Sequence, residues 1–230
     1  MKYLYLILHI LTVAYPLANS FEHRIKYASK WKALLPGLLI TAAFFILWDV
    51  IFTRAGVWGF NHQYITGIKL FSLPIEEWLF FITVPFASVF IYECVIYFLP
   101  NVGTSQNLKI FTWTLAGTLI ILAVSNPNQA YTFWNFLFCG IFLAFIAFKH
   151  PPWLGKFYVA YLFHLLPFFL VNGVLTGSFI EEEVVWYNNN ENFAFRLFTI
   201  PVEDTIYAML LLLLNIYFFE LFKKKLQPPT

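Results

Sequence analysis

The 230-residue chain is 60% hydrophobic and 22% aromatic, and only 11% of it is charged, which makes it far more apolar than a soluble domain of this size. A net charge of +2 with scattered basic residues argues against nucleic acid as a partner, and the chain carries no glycine-rich phosphate loop or dinucleotide fingerprint. Cys94 and Cys139 lie inside apolar runs, where a thiol behaves as a small hydrophobe, so neither a disulfide, a metal site nor a catalytic thiol is expected.

A bilayer-spanning helix needs about 20 mostly apolar residues, and seven runs meet this, two of them marginally. The first covers Tyr3 to Leu17. Lys2, the short apolar stretch and Ala18-Asn19-Ser20 resemble a signal peptide, but the stronger positive charge follows the run, at Arg24, Lys26, Lys30 and Lys32, which favours a retained helix. The second runs from Ala33 to Phe52, with Trp48 and Asp49 near its end, and the third from Pro74 to Leu99. Lys109 to Val124 is short and ends in the turn residues Ser125-Asn126-Pro127-Asn128. The fifth spans Tyr131 to Phe148, the sixth Phe157 to Leu175, and the seventh Pro201 to Phe222, stopped by Lys223-Lys224-Lys225.

An eight-residue block recurs. Leu70-Phe71-Ser72-Leu73-Pro74-Ile75-Glu76-Glu77 returns 127 positions later as Leu197-Phe198-Thr199-Ile200-Pro201-Val202-Glu203-Asp204, with four identical pairs and four conservative ones. The offset superimposes the third run on the seventh in the same direction. It implies an all-α membrane protein of seven helices in a 3+1+3 parallel repeat about an axis along the membrane normal. The expected units are a first repeat, 1–99, a linker helix, 100–128, and a second repeat, 129–230. Glu93 maps onto Glu220 at the same offset; snorkelling or pairing with nearby lysines accounts for that pair.

Each block places a proline where a helix begins, with two carboxylates in the first turn. Pro74 and Pro201 suit the first helical position, where a missing N–H does no harm. Capping and the helix dipole would explain one such acidic turn. Two pairs at matching membrane positions point to function, because ionisable groups there are costly. Lys2, Arg54, Lys69 and Arg196 fall on one side and the other ten basic residues on the opposite side. The expected topology is therefore multi-pass in the cell (inner) membrane, with the amino terminus outside, the carboxyl terminus cytoplasmic and both acidic turns at the outer interface.

Four carboxyl groups gathered in a poorly hydrated place cannot all ionise, so a protonated acid next to a carboxylate base is expected among Glu76, Glu77, Glu203 and Asp204. Trp78, Phe80 and Tyr207 lie near these acids along the helices, and the preceding loops bring Trp58, Phe60, Trp186 and Tyr187. The loops, Thr53 to Leu73 and Gly177 to Ile200, each hold a Val-Trp step followed by an aromatic and Asn, with an offset that slips by one or two residues. They are candidate lids. Aromatic faces stabilise a cation, and protonating an alkene makes one, so the combination suggests an apolar polyene substrate.

The paired Pro-x-Glu-Glu/Asp motifs, the Gly-Val-Trp and Val-Val-Trp-Tyr segments and the duplicated three-helix plan resemble the integral-membrane lycopene cyclases, which occur as two small subunits or as a fused chain. In its fused form the resemblance covers essentially the whole chain. It implies Pro74, Glu76, Glu77, Pro201, Glu203 and Asp204 as motif positions, and cyclisation of acyclic carotene ends in carotenoid biosynthesis without flavin or any other cofactor. In that reading Glu76 or Glu203 protonates the terminal double bond and Glu77 or Asp204 removes the final proton, while Trp58, Trp78, Phe80, Trp186, Tyr187 and Tyr207 contact the carotenoid within the bilayer. The alternatives are a small 3+1+3 transporter and a non-catalytic carotenoid-binding protein. A retinal protein would need a lysine in the seventh run, and Pro201 to Phe222 has none.

Overall fold

The computed structural model describes residues 2–226. Among them are seven helices long and apolar enough to cross a membrane: α1 (Leu4–Ala18), α2 (Trp31–Ala55), α3 (Ile75–Phe98), α4 (Gln106–Ser125), α5 (Ala130–Lys149), α6 (Leu154–Leu175) and α7 (Val202–Leu226). The protein is an all-α membrane protein, as its composition requires. The expected runs are the observed helices, and α2, α4, α6 and α7 extend beyond them by two to four residues at an end. Helix α4 starts earlier, at Gln106, because the Ser105 hydroxyl accepts the Leu108 N–H as an N-cap. Helix α7 continues through Lys223, Lys224 and Lys225 instead of stopping at them, since cations favour a helix C-terminus and Lys223 Nζ reaches back to Glu93 at 3.0 Å.

The packing follows the repeat. Helix α1 packs on α3 as α5 packs on α7, α2 packs on α3 as α6 packs on α7, and the crossed pairs α2 with α7 and α3 with α6 complete the set. Helix α4 lies along α5. At the end of the bundle away from the motifs, Glu93 is 1% exposed and pairs with both Lys30 and Lys223, while Glu220 accepts the Tyr92 hydroxyl at 2.9 Å. The lysine pairing expected for these acids is what the structure contains.

The loops before the motifs are short ladders. Strand β1 (Trp58–Phe60) pairs antiparallel with β4 (Val185–Tyr187). Strands β2 (Lys69–Leu70) and β3 (Leu73–Pro74) form one hairpin, and β5 (Arg196–Leu197) and β6 (Ile200–Pro201) form its counterpart in the same register. Phe71 and Ser72 both have positive φ, as a two-residue turn with the twist of its strands requires. Pro74 and Pro201 therefore close a strand. Pro74 sits at the N-cap of α3 with an extended ψ of 147°, one residue before the first helical position where sequence reading put it, because Pro74 is still paired with Lys69 in the ladder and the Ile75 N–H donates to the Ile68 carbonyl at 2.9 Å.

Cross-half packing depends on a close approach at Gly37. A Cβ there would sit 2.8 Å from the Phe218 Cβ of α7. Gly37→Val should drive α2 from α7 at a cost of about 1–3 kcal/mol, typical of overpacking, and be seen as a lower midpoint of thermal unfolding in detergent; an unchanged midpoint would mean the two halves are not held by this contact.

Candidate active site

The second carboxylate of each motif enters one cavity between the halves. It is lined by Glu77, Phe80 and Val84 of α3, Asp204, Tyr207 and Leu211 of α7, Tyr5 of α1, Tyr131 of α5, Phe60 of β1 and Tyr187 of β4. These residues are related in pairs by the repeat: Tyr5 with Tyr131, Phe60 with Tyr187, Glu77 with Asp204, Phe80 with Tyr207 and Val84 with Leu211, each 126 or 127 positions apart. The cavity lies on the pseudo-twofold axis and belongs to both halves. Asp49, Trp58, His164, Phe168 and Asn172 also line it.

The ladder over the cavity resolves the slipped offset of the loops. Gly59 pairs with Trp186, Trp58 with Tyr187 and Phe60 with Val185, so the axis passes through the Gly59–Trp186 pair. The two Val-Trp steps are not equivalent: the counterpart of Trp58 is Val185 and that of Trp186 is Gly59. A Cβ on Gly59 would lie 2.3 Å from the Trp186 ring. Trp58 is buried inside, while Trp186 is 40% exposed and belongs to a shallow outer depression with His62 and Glu182.

The four motif carboxylates divide by what they face. Glu76 and Glu203 are fully buried and turn to their own loops, Glu76 Oε1 accepting the Thr66 N–H at 2.6 Å and Glu203 Oε1 the Phe193 N–H at 2.8 Å, each ten residues upstream. Glu203 Oε1 also accepts the Thr132 hydroxyl at 2.6 Å. Neither lines the cavity. Glu77 and Asp204 do, with unequal surroundings. Asp204 accepts three hydrogen bonds, from Tyr131 at 2.5 Å, Asn172 at 2.7 Å and Tyr187 at 3.0 Å. Among the described residues Glu77 has one donor, Tyr5, at 2.6 Å on Oε2. Burial first, and then the adjacent Asp204 carboxylate, push the Tyr187 hydroxyl well above its ordinary pKa, so it remains a donor at any physiological pH.

Of the aromatics expected at the site, Trp58, Phe80, Tyr187 and Tyr207 line the cavity and Trp78 and Trp186 do not. The Trp78 indole donates to the Leu70 carbonyl at 3.3 Å, bracing the hairpin. Sequence reasoning missed Tyr5, Tyr131, His164 and Asn172. The two tyrosines stand 126 positions apart and were reachable by extending the offset upstream. The other two are polar groups inside an apolar run, a signal for function in membrane helices. Among the described residues no cluster of three His, Cys, Asp or Glu side chains forms a metal site.

The fold and site together define a multi-pass membrane protein with a paired-carboxylate, aromatic cavity built from two halves. The family model described as lycopene cyclase matches residues 2–95 and 128–222, one segment in each half, and the chain belongs to the lycopene cyclase family. It is 35% identical over 83 residues to proteins named lycopene beta-cyclase from two strains of Halobacterium salinarum, a match covering 36% of this chain and 26% of those relatives. The match thus spans about a quarter of the length of these relatives. No solved structure matches.

Glu76→Gln and Glu203→Gln keep an oxygen acceptor for the loop N–H, so each should reduce turnover by less than about tenfold, the equivalent of one neutral hydrogen bond. Glu203→Ala leaves the Phe193 N–H and the Thr132 hydroxyl unpaired and should lower the thermal midpoint as well. Loss of all activity in both Gln variants, at matched protein levels, would return these acids to the chemistry.

Proposed function

We propose that the protein cyclises the acyclic ends of lycopene, with Glu77 as the acid and Asp204 as the base. The observation that carries this reading is the pair of carboxyl groups from opposite halves facing one aromatic cavity with unequal numbers of donors. Hydrogen bonds to a carboxylate favour the anion, which suits Asp204 with its three. One donor and an otherwise open oxygen suit a carboxyl that carries a proton, and Glu77 has that arrangement.

Glu77 donates its proton to the terminal double bond of the carotene. The tertiary cation is attacked by the next double bond of the ring-to-be, a carbon–carbon bond closes the six-membered ring, and the charge moves to a ring carbon. Asp204 takes the proton from the neighbouring carbon, restoring a double bond. Release of that proton from Asp204 to solvent and uptake of another by Glu77 complete the cycle. Substrate and product are isomers, so the reaction is an isomerisation by intramolecular addition. The faces of Trp58, Tyr131, Tyr187 and Tyr207 surround the cation, each able to contribute about 0.5–2 kcal/mol in a desolvated site. The name of the halobacterial relatives supports a β ring as the product.

Expression in a lycopene-accumulating bacterium, followed by chromatography of its pigments, tests the reading: cyclised carotenes are expected, and unchanged lycopene with the protein present in the membrane would contradict it. Glu77→Gln should lower turnover by about 10²–10⁴, as loss of a general acid does, and purified protein should act without added flavin or nicotinamide. The asymmetry of basic residues supports a cytoplasmic carboxyl terminus. A reporter fused after Lys225 should behave as cytoplasmic and one in the 177–200 loop as external; the opposite pattern would invert the orientation.

A further inference from the structure

Five residue pairs of the cavity obey the repeat, and among the lining groups that do not is a third carboxylate. Asp49, near the end of α2, is 2% exposed and lines the cavity beside Glu77 and Asp204. Its counterpart 127 positions on is Thr176, whose hydroxyl is engaged with the Asn172 carbonyl at 2.8 Å. The second half therefore has no acid there. Asp49 Oδ1 accepts the indole N–H of Trp58, and Trp58 is itself unmatched, since the ladder pairs its position with Val185 in the other half. The remaining oxygen, Oδ2, is buried with no partner among the described residues. A lone acid kept in an apolar span is costly and marks function.

Trp58 packs among the other aromatics of the site, as Tyr131 does. Its ring centroid lies 5.1 Å from that of Tyr131, 6.2 Å from Tyr187 and 6.5 Å from Tyr207, with Phe52 behind it at 4.9 Å. An indole has the strongest cation-binding face of the natural aromatics. Its usefulness depends on presenting that face, and the single N–H anchored on Asp49 fixes the rotation of the ring.

We propose that Asp49 is a positioning residue that holds Trp58 as the cation-facing wall on one side of an otherwise two-sided cavity. The pair makes the two halves inequivalent, so the cation forms against the first half while Asp204 of the second half receives the proton. This rests on the cyclase reading above.

The test uses the full-length protein with lycopene in liposomes and compares Asp49→Asn, Asp49→Val, Trp58→Phe and the doubles. Asp49→Val, which cannot accept the N–H, should lower kcat about tenfold or more with KM little changed, because the wall is matched to the cation and not to neutral lycopene. Asp49→Asn, which keeps an oxygen acceptor, should recover most of that loss. Added to Trp58→Phe, neither Asp49 substitution should lower kcat further, since residues acting as a unit are non-additive. Losses that add, an effect on KM alone, or Asp49→Asn as impaired as Asp49→Val would overturn the proposal. If Asp49→Val does not accumulate, Trp58→Phe against Trp58→Phe/Asp49→Asn decides by the same criterion. A wild-type protein inactive on lycopene would overturn the cyclase reading and this inference together, whereas an active wild type with additive variants overturns the inference alone.

Discussion

A carboxyl group carried into an apolar helix bundle must be met by donors. At the ends of α3 and α7 the donors come from elements far away in sequence: Tyr5 and Tyr131 from the helices that begin each half, and the N–H groups of Thr66 and Phe193 from the loops. Leaving a buried group of this kind unpaired costs about 1–3 kcal/mol or more, so these bonds decide where the first helix of each half and each loop must lie. The hairpins β2–β3 and β5–β6 deliver the acids into the first helical turn at matching positions. The rest of the bundle is arranged around that need.

Duplication then creates a site that neither half has alone. Each half supplies one motif carboxylate to the cavity and one tyrosine to hold it, and crossed packing of α2 on α7 and α3 on α6 sets the two face to face. Departures from symmetry make their surroundings unequal. Asn172 stands where the first half has Phe45, and it gives Asp204 a donor that Glu77 lacks. Asp49 and Trp58 stand where the second half has Thr176 and Val185. A symmetric frame with a few unmatched residues is enough to give two like acids different environments.

The helices were legible because a bilayer demands one pattern, a long apolar run, and the repeat was legible because eight residues return at a fixed offset. The hairpins were not: Leu-Phe-Ser-Leu-Pro has no glycine or asparagine to announce a tight turn, and Phe71 accepts positive φ only because the ladder and the helix after it hold the chain there. The acids were found as a group, but which of each pair faces the cavity depends on helix phase by a single residue, about 100° of rotation. Trp58 and Trp186 looked alike as Val-Trp steps, yet a one-residue slip in a strand sends a side chain to the other face, and one lies inside while the other covers Gly59. The tyrosines went unread because a hydroxyl inside an aromatic-rich run carries no pattern until its partner is known.

The central claim is that ring closure begins with a proton from a protein carboxyl group and ends with loss of a different proton to a second one. Turnover of unlabelled lycopene in heavy water, with the product analysed by mass spectrometry, tests it directly. An acid that exchanges with solvent between turnovers delivers one deuterium to each ring formed, on the carbon protonated first. Rings formed without deuterium would contradict the account.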